Sequence, residues 1–248
     1  MTDNTAACKI GLLFVHGIVG NSRFFDFLMP EIPEKCKVLK ITLKGHGGNA
    51  LDFSGASMEQ WKRQVDEAIC LLRAECGTIV FVAHSMGTLF ALDQAARNRV
   101  NAIFLLNPPL RIRPTWRLLT TPVKVMTGYT SNPVISAAKD AYGISLDYNP
   151  LHYYGWPRRY MELFSEIKRI RRIVHKVNCA CKVFISERDE MVSPSSAALF
   201  NNNSGCRLWM LSRSGHYYYT PSDRNLIIRE FSLLMMEMKK FAGVATSR

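Results

Sequence analysis

A run of β-branched and aromatic residues, Val80-Phe81-Val82, breaks off in the turn Ala83-His84-Ser85-Met86-Gly87. The chain then continues as a helix-like stretch to about Asn98. A strand that passes into a helix through one tight small-x-Ser-x-Gly turn restricts the chain to folds in which parallel strands are covered by helices. It also carries chemistry. A strand delivers the serine to a sharp, strained turn that pushes Oγ out at the edge of a sheet. Small residues two positions to either side leave room for tight strand–helix packing.

The rest of the chain repeats this alternation. Strand-like runs lie at about 10–15, 37–42, 78–83, 101–106, 181–186 and 206–211, with helical periodicity between them. The reading is α/β: a doubly wound, mostly parallel sheet of about six strands with helices on both faces. The clearest helix is 57–76, where Met58, Trp61, Val65, Ile69 and Leu72 recur at three- and four-residue spacing. Ser57 and Gln60 read as its capping box and Gly77 as its stop. A last helix begins near Pro221 and carries Leu226, Ile227, Phe231, Leu234 and Met238.

A nucleophilic serine needs a histidine to take its proton, and the histidine needs a carboxylate to fix its tautomer. Of the six histidines, His216 alone follows a late strand in a short polar loop, Ser212-Arg213-Ser214-Gly215-His216, where α/β proteins place working side chains. His16 reads as a loop-bracing residue. The carboxylate belongs after the strand 181–186, where Glu187, Asp189 and Glu190 compete. Asp189 is preferred, because it opens an Asp-x-x-Val-x-Pro turn whose valine anchors the loop and whose proline starts the next element. Glu187 and Glu190 are read as solvated or bound to Arg188. The preceding strand runs into Asn107-Pro108-Pro109 and offers no acid.

Further pieces agree. The strand 11–15 ends in His16-Gly17-Ile18-Val19-Gly20-Asn21-Ser22, and Leu43-Lys44-Gly45-His46-Gly47 follows the second strand. With Ala-His-Ser-Met-Gly, Asp-Glu-Met-Val and Gly-His, the chain resembles the α/β-hydrolase superfamily. The particular likeness is to bacterial carboxylesterases and monoacylglycerol lipases. It spans about residues 10–240 and weakens between roughly 110 and 175. Ala83 and Thr88 stand where the family often has glycine, and Lys44 where it often has proline. The resemblance implies a triad in the order Ser85, Asp189, His216. It also implies an oxyanion hole of backbone N–H groups from Ile18 and Met86.

About seventy residues separate the strands 101–106 and 181–186, too many for a simple crossover. The chain is read as one domain, 1–248, with a cap inserted at about 110–176. Within it, Trp116, Tyr129, Tyr153 and Trp156 are expected to line a pocket for an apolar acyl chain. A helix is expected at 160–177, its apolar stripe packed onto the core. The formal charge of +12 concentrates in this insertion, where residues 111–176 hold twelve Lys/Arg against four Asp/Glu. No nucleic-acid motif accompanies it, so no nucleic-acid partner is expected. A basic cap of this kind suits an anionic substrate, an acidic partner or a weak contact with an anionic membrane surface, and equally a merely solvated face.

The seven cysteines are scattered without framework spacing. Cys179-Ala180-Cys181 lacks further ligands, so no metal and no cofactor are expected. There is no apolar run of membrane-spanning length, and a cytoplasmic enzyme is expected. Its function is read as a serine hydrolase of short or medium acyl esters or monoacylglycerol-like substrates. Thioesterase, amidase or peptidase, and acyltransferase activities share such a site. The reading from a different class is a non-catalytic homologue that binds an acyl ligand or an anion.

Overall fold

Strands that are buried at every position must be covered on both faces, and three of the six strands here are of that kind. The computed structural model describes residues 10–113, 133–201 and 203–245. The strands are β1 (Ile10–Val15), β2 (Cys36–Ile41), β3 (Thr78–His84), β4 (Ala102–Leu106), β5 (Ala180–Ser186) and β6 (Cys206–Leu211). They form one sheet in the order β2-β1-β3-β4-β5-β6, and every adjacent pair is parallel. Each lies within one residue of its expected position. β1, β3 and β4 are buried throughout.

The helices are α1 (Ala50–Ser54), α2 (Met58–Glu75), α3 (Met86–Ala96), α4 (Pro133–Ala141), α5 (Trp156–Arg171) and α6 (Pro221–Ala245). The strand period of two divides the core between the faces. Leu13, Val15, Phe81, Ala83, Ile103 and Leu105 meet Trp61, Val65 and Ile69 of α2 and Leu89 and Leu92 of α3. Leu12, Phe14, Val80, Val82 and Phe104 meet Phe231 and Leu234 of α6, with Phe25 and Leu28 of a 3-10 helix at Ser22–Glu31. None of the helices among the described residues is long and apolar enough to cross a membrane.

Local details depart from expectation at three places. The Ser57 side chain accepts the Gln60 N–H at 3.2 Å, but Gln60 does not reciprocate, and its buried Oε1 lacks a partner. The reciprocal capping box is at α1 instead, between Asn49 and Asp52. α2 closes on Cys76, whose extended backbone ends the helix before Gly77 is reached.

The third departure is in the insertion. α5 begins four residues early, with Pro157 in its first turn, and stops at Arg171. Its buried Leu163, Ile167 and Ile170 join the same cluster as α3, as the expected apolar stripe requires. Arg169 pins it there, bonding Asp93 of α3 at 2.8 Å and Glu166 at 2.6 Å. This helix therefore covers the sheet as a crossover helix does, and part of the insertion's positive charge is spent in ion pairs. Among the described residues, the shorter segment between α4 and α5 crosses the loops at the strands' carboxyl ends.

Candidate active site

Ser85 has φ 49° and ψ −124°, backbone values that cost a non-glycine residue of order 1–3 kcal/mol and persist only where neighbours enforce them. Here they do. The Ser85 N–H donates to Leu106 O at 2.9 Å, which ties the turn to β4. Its carbonyl accepts Thr88 N–H at 2.9 Å and the Thr88 hydroxyl at 2.6 Å, so Thr88 has a task that glycine could not perform. Gly87 is needed: a Cβ there would lie 2.3 Å from Val15 O, so any side chain would push α3 off the end of β1.

From β6, the loop carrying His216 returns over this turn. His216 Nε2 lies 3.0 Å from Ser85 Oγ, and Nδ1 lies 2.7 Å from Asp189 Oδ2. A carboxylate only accepts, so the proton sits on Nδ1 and Nε2 is left to accept from the serine hydroxyl. The other oxygen of Asp189 accepts the N–H groups of Met191 and Val192, both at 2.7 Å. Asp189 and His216 are fully buried and Ser85 is 6% exposed. The three residues read from separate stretches of sequence therefore form one hydrogen-bonded chain.

Two residues with no role in the sequence reading complete it. Glu190 is not solvated; it is buried, and its Oε2 accepts the His216 backbone N–H at 3.0 Å. Glu187 is exposed, as expected. Asn107, at φ 50° just past β4, accepts Ser186 N–H at 2.8 Å. Its amide donates to Gly215 O at 3.3 Å and His216 O at 3.2 Å. Asparagine after a strand is the only local hint of this, since it tolerates the left-handed region better than most residues. Beneath them, the His84 ring donates from Nε2 to His216 O at 3.0 Å.

The loop after β1 abuts Ser85 closely. A Cβ on Gly17 would fall 2.7 Å from Ser85 Cβ and 3.3 Å from its Oγ. Ile18 follows directly, and Met86 opens α3, where first-turn N–H groups lack intrahelical acceptors. Val19 takes φ 53°, a strained value for a β-branched residue. Its N–H donates to His46 Nε2 at 3.1 Å, and its carbonyl accepts Gly143 N–H at 2.7 Å. His16 braces as expected, Nε2 accepting Leu43 N–H at 3.1 Å and Nδ1 bonding Gly17 O at 2.8 Å. Burial holds His16 at about 4 and His46 and His84 well below the ordinary histidine value, so all three are neutral braces.

The profile of the Alpha/beta hydrolase family matches residues 12–226. The chain belongs to the alpha/beta hydrolase family. No curated protein sequence matches it. Among solved structures, this hydrolase-family chain is similar to a metagenome-derived lipolytic enzyme of the LipS and LipT study, at 19% identity and TM-score 0.69, covering 93% of this chain and 95% of the other. It is also similar to the monoacylglycerol lipase of Paleococcus ferrophilus (15%, TM-score 0.66, covering 92% and 94%). A third likeness is to Est1E of Butyrivibrio proteoclasticus with bound ferulic acid (19%, TM-score 0.63, covering 96% and 92%). At such identities the likeness is one of fold.

In this hydrolase-family fold the segment after α4 forms a strap over the loops. Gly20 and Tyr142 pair in an antiparallel bridge, and Asn21 Nδ2 donates to Asp140 O at 2.9 Å and Tyr142 O at 3.0 Å. Gly47 N–H donates to Gly143 O at 2.5 Å, and Ser145 N–H to Gly48 O at 2.9 Å. The strap brings Tyr142 within 6.3 Å of Tyr217, ring to ring, and burial raises both phenols. Tyr160, at the start of α5, is pushed up to about 12 by the same cause.

Of the four expected cap residues, Trp116 and Tyr129 lie outside the described residues. Tyr153 and Trp156 have bracing contacts: Tyr153 donates to Asp147 O at 2.6 Å and Trp156 Nε1 to Ala50 O at 3.1 Å, with the indole against Phe53.

Proposed function

We propose that the chain is a serine hydrolase of carboxylic esters, acting through an acyl-enzyme. The observation that carries this reading is the buried chain Asp189–His216–Ser85, with contacts of 2.7 and 3.0 Å, ending on a hydroxyl at a strained turn. Ser85 Oγ attacks the acyl carbonyl carbon as its proton passes to His216 Nε2. Asp189 stabilises the imidazolium through Nδ1–H. The N–H groups of Ile18 and Met86 are proposed as donors to the oxyanion; Gly17 against Ser85 and Met86 as the first residue of α3 support the assignment. When the tetrahedral species collapses, the C–O bond to the alcohol breaks and His216 protonates the leaving oxygen. Water then gives its proton to His216 and attacks the acyl-enzyme, releasing the acid and restoring Ser85.

The strap over the 18–21 and 45–48 loops is proposed as the working part of the cap. The grouping of Tyr142, Tyr160 and Tyr217 supports an apolar acyl or aromatic acid portion. Lipolytic and esterase neighbours of the same fold favour an ester over an amide. A cytosolic setting is part of this reading, in keeping with seven cysteines scattered without framework spacing.

The test pairs a fluorophosphonate label with a panel of acyl esters, thioesters and amides of increasing chain length. Wild type is expected to be phosphonylated at Ser85 and to turn over esters fastest, and Ser85→Ala to do neither. An unlabelled wild type without ester turnover would overturn the reading.

A further inference from the structure

Beside the candidate site, and not lined by Ser85, lies a cavity of about 590 Å³. Three elements build it: the 3-10 helix at Ser22–Glu31, the end of α4, and the chain running from His216 into α6. Its walls are aromatic, formed by Phe24, Phe27 and the three tyrosines 217–219. Its charges are Arg23, Lys139 and Arg224 against the single carboxylate of Asp140. All four charged residues are exposed, so they form a rim, while Tyr217 is buried. None of the three cations forms an ion pair with a described residue, and Arg224 lies over the Phe27 ring, 5.1 Å from its centre.

We propose that this cavity is a binding site for an organic anion with a flat apolar body, of the aryl carboxylate class. The volume is that of a small-molecule pocket. Aromatic walls take a planar ring by offset or edge contact, which a branched aliphatic body would not match. A cationic excess at the rim selects an anion, and two guanidinium groups offer forked donors that suit a planar carboxylate. A neutral ligand would leave those cations without return. The site goes beyond the proposed hydrolysis, because none of its lining residues belongs to the triad and only Tyr217 is shared with the tyrosines proposed for the acyl portion.

Its placement still couples it to the candidate chemistry. Phe24 lies against the His84 ring at 4.1 Å between centres, and His84 holds the His216 carbonyl. Tyr217, the residue after His216, is a wall of the cavity. An occupant would bear on the elements that position His216 without touching Ser85.

Isothermal titration of the full chain with 2-naphthoate, 2-naphthyl phosphate and 2-naphthamide tests the site without relying on hydrolysis. The expected result is saturable one-site binding of naphthoate, with the amide weaker by about tenfold. The double variant Arg23→Glu/Arg224→Glu should weaken naphthoate by about tenfold while leaving the amide unchanged. Its unfolding temperature, matched to wild type, shows that it has folded. Naphthoate should bind Ser85→Ala as it binds wild type. Tighter binding of the phosphate would keep the site and assign it to a phosphate-type anion. Equal affinity for acid and amide, indifference to the double variant, or no binding by roughly 1 mM would each overturn the proposal.

Discussion

Glu190 holds the backbone of His216: its Oε2 accepts the His216 N–H at 3.0 Å, while Asp189 beside it takes the ring N–H. Two consecutive acids thus divide one histidine, one orienting the imidazole and the other anchoring its main chain. Glu190→Ala should lower kcat for a short acyl ester by about tenfold to a hundredfold with little change in KM, through displacement of His216. Glu190→Gln keeps an accepting oxygen and should recover most of the rate. Equal losses in the two variants, or a loss confined to KM, would contradict a positioning role.

Ser85→Ala and His216→Ala should each remove activity by a factor on the order of 10⁴ or more, since members of such a unit act together. Asp189→Asn should be severe as well, and Glu187→Gln nearly silent, because Glu187 is exposed. The double variant Ser85→Ala/His216→Ala should be no worse than Ser85→Ala alone. Steady-state rates on one ester settle all five comparisons.

Acid should destabilise the fold through its buried histidines. His16 sits at about 4 against an ordinary 6.5, because burial disfavours its charged form. Between those values the unfolded chain binds the proton and the folded chain does not. Its contribution is therefore complete above pH 6.5 and is lost as the pH falls towards 4, to the extent of about 3 kcal/mol. His46 and His84 act in the same direction. Unfolding temperatures from pH 7.5 to 4.5 should fall steeply for wild type. His16→Gln should start lower and slope less; parallel slopes would count against this account.

A side chain at position 143 should unfasten the strap. A Cβ there would fall 2.0 Å from Gly20 O, which cannot give way without breaking the Gly20–Tyr142 bridge. Gly143→Ala should cost about 1–3 kcal/mol, lowering the melting temperature by several degrees, and should speed proteolysis within 140–147. Gly77→Ala is the control, since a Cβ there meets nothing within 4 Å. A Gly143→Ala melting curve matching the control would show that the strap is not held there.

What could be read from the sequence was whatever chemistry is local. Ser85 announces itself because strand, turn and helix are contiguous, and Asp189 because its carboxylate caps Met191 and Val192 nearby in sequence. Glu190 and Asn107 were illegible for the opposite reason. Their partners lie 26 and up to 112 residues away, and the Asp-Glu-Met-Val motif that holds Glu190 says nothing of the main chain it anchors. Gln60 shows how a local signal misleads: the spacing of a capping box was present, yet the side chain did not return its bond. The long stretch between β4 and β5 was legible by length and position. How it divides between a sheet-covering helix and a strap was not, because that depends on which loops α5 and Gly143 meet.

Strand β4 contributes no reacting group, yet it stands between the strand that ends in Ser85 and the strands whose loops carry Asp189 and His216. Leu106 ties it to Ser85 on one side, and Asn107 ties it to Ser186 and His216 on the other. β4 is in effect a spacer gauge between Ser85 and the Asp189–His216 pair. A slip of one residue in its register would move the two sides relative to each other by about 3.3 Å, more than the 3.0 Å that separates His216 from Ser85. The geometry of the proposed site therefore depends on the register of a strand that supplies none of its three side chains.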